Sequence, residues 1–148
     1  MYKVIGGTLI LVGWYCFYVF NSPPKVKSED TDVGILSRLI NAEADPNDLR
    51  DAYLVGSTVL NRSERQDFSY VVTEVVYQES QFGGVSSNKF VRTEHSDTVA
   101  VRLLKGLGRN CDVLYFYNPR HITDAEFKRK MDQHKLITYT SGHKFFGI

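Results

Sequence analysis

Sulfur is scarce in this chain: two cysteines in 148 residues leave no room for a disulfide framework. Cys16 falls inside an apolar N-terminal run and Cys111 stands far down the chain beside Asp112, so a bridge between them is not expected. Both thiols read as small, inert hydrophobes. Net charge is equally scarce. Eighteen Lys and Arg against seventeen Asp and Glu leave a formal charge of +1, too little for a basic field that recruits nucleic acid by releasing counterions. The four histidines, His95, His121, His134 and His143, lack the HExxH spacing and any cysteine partner, so neither a metal site nor another cofactor is expected. Internal repeats and low-complexity tracts are absent too. What is present, 43% hydrophobic and 24% charged residues, suits one ordinary globular domain with a short appendage.

The appendage is N-terminal. Residues 4–20 carry no charge and follow Lys3, the pattern of a membrane-insertion signal. The run of about seventeen residues is at the short end of a membrane span, diluted by Gly6, Gly7, Thr8 and Gly13. No small-residue cleavage site follows it, and residues 1–21 are expected to form an uncleaved transmembrane anchor. Lys25 and Lys27 offset Lys3, so charge does not fix its orientation. Residues 22–32, opening with Ser22-Pro23-Pro24 and then mixing charges, read as a linker, and residues 33–148 as the domain.

Within the domain, Leu36, Leu39, Ile40 and Glu43 recur at the spacing of one helical face, which puts a carboxyl group on a core-facing position. Pro46 ends this helix, and Asn47-Asp48 cap a second with Leu49, Ala52, Gly56, Val59 and Leu60 as its apolar stripe. Phe68, Val71, Val72, Val75 and Val76 predict a third, against the propensity of so many β-branched residues. After the Gly83-Gly84 break, Ser96 or Asp97 is expected to cap a fourth helix through Val99, Leu103, Leu104 and Leu107, closed by Gly106 and Gly108. Residues 113–117 suit a buried extended segment, stopped by Asn118-Pro119. Thr123 and Glu126 have capping-box spacing for a short helix toward His134, and residues 136–146 read as a hairpin turning at Ser141-Gly142. The expected fold is mainly α, with a small C-terminal β element.

Glu43 is the residue with chemistry to offer. Burial disfavours its anion, and the negative end of its helix dipole adds to that, so the proton is retained. A carboxylic acid kept protonated is what glycosidic cleavage needs, because the leaving oxygen must receive a proton.

Five segments carry a family resemblance: Leu39-Ile40-Asn41-Ala42-Glu43-Ala44; Val59-Leu60-Asn61-Arg62; Val75-Val76-Tyr77-Gln78 with Gln81-Phe82; Leu114-Tyr115-Phe116-Tyr117-Asn118-Pro119; and Gly142-His143-Lys144-Phe145-Phe146. In order and approximate spacing they resemble the spore-cortex-lytic (SleB-like) cell wall hydrolases. The resemblance implies a lysozyme-like, mainly helical domain that cleaves peptidoglycan glycan strands between N-acetylmuramic acid and N-acetylglucosamine. It also implies lytic transglycosylase chemistry, with Glu43 as the acid. The chain departs from the pattern at Asp45-Pro46-Asn47, where members often read Arg-Gly-Glu, at Gly83 in place of Ser or Thr, and at Phe146 in place of Tyr or Cys.

A two-carboxylate glycosidase needs a second acid across the sugar. Glu74, Glu79, Glu94 and Asp97 are the available acids, and each reads better as a solvated charge or a cap. A transglycosylase needs only Glu43, the muramic acid C6 hydroxyl attacking internally. Hydrolytic cleavage, or an inactive wall-binding protein that keeps the fold, is the alternative. An amidase is disfavoured without zinc or a Cys–His pair. Gln78 and Gln81 are candidate hydrogen-bonding partners of the glycan, or loop caps. Phe82, Tyr115 and Tyr117 are candidate sugar platforms, or core. Asn118 and His143 enter as motif positions whose simplest role is to close the turn and the hairpin. The implied substrate places the domain outside the cytoplasm, in the periplasm or wall space, on a monomeric chain tethered by its N-terminal helix. A weakly apolar anchor also suits a bacteriophage lysis protein.

Overall fold

The computed structural model describes residues 31–148. The expected anchor and all but the last two residues of the linker lie outside the described residues. Among the described residues, no helix is long and apolar enough to cross a membrane.

Helix α1 (Asp32–Glu43) begins where the Thr31 hydroxyl accepts the Gly34 N–H at 3.3 Å, and ends as Ala44 turns extended. Its Ile35, Leu36, Leu39 and Ile40 are at most 2% exposed, because α2 (Leu49–Ser63), α3 (Val72–Tyr77) and α4 (Glu94–Leu104) all pack against it. The central helix of the domain is thus the one that ends in Glu43. Asp48 caps α2 as expected, accepting the N–H groups of Arg50 and Asp51. Leu49, however, is exposed: it stands at the free first turn, beyond the reach of the stripe that buries Ala52, Val59 and Leu60.

The third helix is shorter than its apolar spacing predicts. Ser69 Oγ accepts the Val71 N–H and donates to Glu74, so the chain enters α3 only at Val72; Phe68 is half-buried outside the helix and Val71 is exposed. The fourth helix starts earlier than predicted. Thr93 is its N-cap and Ser96 the reciprocal partner three residues on, so the capping box uses two hydroxyls. At its other end the Gly106 N–H reaches Leu103 O and the Leu107 N–H reaches Arg102 O, with Gly106 at φ 78°, a Schellman turn that leaves Leu104 and Leu107 facing solvent.

A three-stranded antiparallel sheet follows, ordered β1 (Tyr115–Tyr117), β3 (Lys144–Gly147), β2 (Lys135–Tyr139), with the predicted hairpin supplying the last two. Tyr115 pairs with Phe146, and Phe116 with Phe145. Alternation along β3 sends Phe145 into the main core and Phe146 into a small second cluster with Tyr117 and Met131. A short helix α5 (Ala125–Met131) precedes β2; Asp124, not Thr123, caps it, accepting from Glu126 N and Phe127 N. The C-terminal end of α2 is stitched by side chains to the segment that leads into β1: Asn61 Nδ2 donates to Asn110 O at 2.8 Å and Val113 O at 2.6 Å, and Arg62 Nε to Leu114 O at 2.8 Å. Cys111 lies beside this junction and is exposed, correcting its expected place as a buried hydrophobe. The architecture is mostly helical with a small antiparallel sheet.

Candidate active site

Glu43 occupies the last position of α1, half-buried between that helix and the 3-10 turn Gly83–Ser86. The Gly84 N–H donates to Glu43 Oε1 at 2.5 Å, and Oε2 has no hydrogen-bond partner among the described residues. A side chain at Gly84 would place its Cβ 2.7 Å from Oε1 and 2.8 Å from the Ala42 Cβ, so the backbone approaches this closely only as glycine. The Glu43 carboxyl is raised above the ordinary glutamate range. Burial is the main cause, partly offset by the Gly84 N–H and by the charge of His143, both of which favour the anion.

Beside Glu43 the tip of the β2–β3 hairpin rests on the turn between α1 and α2. Ser141 N–H donates to Asp48 Oδ2 at 3.2 Å, and its hydroxyl sits 2.9 Å from Asp45 Oδ2 and 3.0 Å from Asp48 Oδ2. Asp45 is lowered by the Asn47 N–H and then by the Ser141 hydroxyl. Burial pushes Asp48 up, but the Ser141 groups and the N–H groups of Asp51 and Arg50 outweigh it and leave it low. Beneath them Asp51 is fully buried. Its carboxylate accepts the Asp45 N–H at 2.8 Å, the Thr140 hydroxyl, and His143 Nδ1 at 2.9 and 3.1 Å from its two oxygens.

The structure brings Glu43 and His143 near enough for the charge of one to act on the other, and engages most of the other residues that the sequence nominated in packing or local hydrogen bonds. Gln78 is the half-buried C-cap of α3. Gln81 is exposed, and its Oε1 accepts from Arg62 Nη1 at 3.2 Å. Arg62 itself is buried over the rings of Phe68, Phe82 and Tyr115, and that burial pushes it down to about 10. Phe82, 7% exposed, packs on Phe116 and Arg62 and offers no open face to a sugar. Tyr117, 5% exposed, stacks on Phe146 on the far side of the sheet from the main core, so it too is packing rather than platform. Tyr115 is stacked against His134 at 4.6 Å. Asn118 Oδ1 accepts the Arg120 N–H at 2.9 Å and closes the turn after β1. Of the acids weighed as second carboxylates, Asp97 is engaged with Arg92 and Ser37 and Glu74 with Ser69, while Glu79 and Glu94 are exposed.

Sequence reasoning missed Gly84, Asp51 and Thr140. The Gly83-Gly84 pair was visible as a break, but nothing local ties it to an acid forty-one residues earlier. A cavity of about 310 Å³ lined by Asn61, Glu64, Arg65, Arg109, Cys111 and neighbours sits at the C-terminal end of α2. Ten helical residues from Asp51 to Asn61, about 15 Å, separate it from the Asp51 end of the helix, and it is not the site of Glu43.

Comparison with known proteins agrees with this architecture. The family described as Cell Wall Hydrolase matches residues 47–146, a range that begins just after Glu43. The catalytic domain of the germination-specific lytic transglycosylase SleB from Bacillus anthracis superposes with a TM-score of 0.68 at 18% identity, over 82% of this chain and 99% of that one. The catalytic domain of the Bacillus cereus SleB protein gives 0.67 at 18% identity, over 83% and 94%. At that identity the likeness is one of fold. No curated protein matches the chain.

Proposed function

Because the chain belongs to the cell wall hydrolase family, we propose that it cleaves the glycan strands of peptidoglycan between N-acetylmuramic acid and N-acetylglucosamine as a lytic transglycosylase, with Glu43 as its general acid and base. The observation that carries the reading is the setting of the Glu43 carboxyl: partly desolvated, so that its protonated form is favoured beyond the ordinary glutamate, with one oxygen held by Gly84 and the other unpartnered among the described residues. Glu43 protonates the N-acetylglucosamine oxygen as its bond to the muramic acid anomeric carbon breaks. The C6 hydroxyl of the same muramic acid then bonds to that carbon and returns its proton to Glu43. One carboxyl group closes the cycle, and the product ends are 1,6-anhydromuramic. The neighbouring acids support a single-carboxylate scheme, since Asp51 is sealed from solvent and Asp45 and Asp48 hold Ser141.

The test is mass analysis of reducing ends after the purified full chain digests peptidoglycan, run beside Glu43→Gln. Anhydro ends from the parent and none from the variant are expected. Ends that have all gained a water would replace internal attack by hydrolysis, and equal digestion by both proteins would remove Glu43 from the chemistry. The same reading has residues 1–21 anchor a monomeric chain in the membrane with the domain on the wall side. Protease protection of the domain in intact cells with the wall removed would overturn that placement.

A further inference from the structure

We propose that Asp51 is a positioning residue for this reaction, acting through the Asp45 backbone and through His143 to hold the Glu43 carboxyl against Gly84. The inference rests on the reading of Glu43 as the acid. A carboxylate with no exposed surface is expensive unless its lone pairs are filled, and α2 does not need this one as a cap, because Asp48 already fills that place. Three donors fill Asp51 instead, from two segments: the Asp45 N–H after α1, and the Thr140 hydroxyl and His143 Nδ1 of the hairpin turn.

Two of these lead directly to Glu43. Asp45 stands two residues beyond it, so the bond at 2.8 Å fixes the path by which the chain leaves α1. His143 is 7% exposed, lies edge-on to Phe116 at 5.0 Å, and gives its Nδ1 proton to Asp51, which sets the ring's tautomer and orientation. The hairpin that carries the ring is closed on the same carboxylate. Thr140 and His143 bond each other's backbone, and a Cβ on Gly142 would fall 3.3 Å from Asp51 Oδ2. Around Glu43 the 3-10 turn presents only the Gly84 N–H, the hairpin presents His143, α2 presents Asp51 and the α1–α2 turn presents Asp45. Of these, Gly84 and His143 act on the Glu43 charge, both favouring the anion.

Removing His143, or the carboxylate that holds its ring in place, therefore lets Glu43 keep its proton to higher pH. The test is the pH–rate profile of the full chain with Asp51→Asn, His143→Gln, the double variant and Thr140→Val. Each of the first two is expected to lower kcat on the order of tenfold or more with KM little changed, as positioning losses do, and to move the alkaline limb to higher pH. The double variant should move it no further than the larger single shift. Thr140→Val, which loses an uncharged bond to the same carboxylate, should lower Tm and leave the limb in place. Alkaline limbs of both single variants that coincide with the parent's would overturn the inference. Should Asp51→Asn fail to fold, carbon-13 NMR of the unmutated chain decides instead: the Glu43 carboxyl must show a second inflection where His143 titrates, and a curve without it refutes the coupling. Glu43→Gln separates the two readings, since loss of activity there with unmoved limbs in the others removes only the role of Asp51.

Discussion

Gly84→Ala is the smallest change that strikes the proposed acid without touching it. Gly84 does not adopt a positive φ, so alanine strains no backbone dihedral, and the whole effect is the methyl group. That methyl would stand 2.8 Å from the Ala42 Cβ, and relieving the clash to an ordinary contact of about 3.5 Å requires a movement of about 0.7 Å. It would also stand 2.7 Å from Glu43 Oε1, the atom that now accepts the Gly84 N–H, so either the 3-10 turn retreats or the carboxyl swings away. Displacements of this size at a reacting group cost on the order of a hundredfold in rate, whereas overpacking of one methyl destabilises the fold by only about 1–3 kcal/mol. Losing the Gly84 bond removes an influence that favours the Glu43 anion, so the alkaline limb should move to higher pH even as the rate falls. Gly83→Ala is the control, because a Cβ there meets nothing within 4 Å. The assay is release of soluble fragments from labelled peptidoglycan across pH, with thermal melts alongside. A Gly84→Ala protein that digests at the parental rate would refute the assignment of Glu43, whatever its stability.

Asn61→Ala removes two donor bonds to the Asn110 and Val113 carbonyls and the acceptor of Arg109 Nε, and leaves those groups in a part-buried junction. A loss of about 3 kcal/mol in urea unfolding is expected from the unpaired groups, and a loss under about 1 kcal/mol would contradict the stitching role. Glu43→Gln should stabilise the fold as it abolishes activity. Because the folded carboxyl holds its proton above the unfolded value of 4.5, stability falls as pH rises from there through the raised value. The Tm gain of the variant should thus be small at pH near 4 and grow toward neutrality; a gain independent of pH would argue against a desolvated Glu43.

Periodicity made the helices legible because the residues that build them are neighbours in sequence. Ile40 and Glu43 announce one face of α1 without help from the rest of the chain, and Asp48 announces the cap of α2. The errors arose where a hydroxyl competed locally or a neighbouring element ran out. Ser69 diverts the chain before α3, Thr93 takes the cap expected of Ser96 or Asp97, and Leu104 and Leu107 continue a stripe past the last helix that covers it. Phe82 and Tyr117 illustrate the same limit for function, since an aromatic residue beside a motif reads alike whether its face is open or stacked on Phe116 or Phe146. Asp51 was invisible for a stronger reason. An aspartate in the first turn of a helix is favoured there by the dipole as a solvated charge, and its real partners, Thr140 and His143, lie 89 and 92 residues away.

The division of labour between the two carboxyl groups follows from their donors. Glu43 has one backbone N–H on one oxygen, a second oxygen without a partner among the described residues, and partial exposure, so it can meet a sugar oxygen and change charge. Asp51 has three donors and no exposure, so it can meet nothing and is suited only to holding what already touches it. Burial that would silence an acid at the second position is, at the first, tempered by a glycine close enough to donate and small enough to leave the carboxyl in place. Of the two, only Glu43 combines a carboxyl whose burial favours the protonated form with an oxygen free to meet a partner, and that combination is what transfer to a leaving oxygen requires.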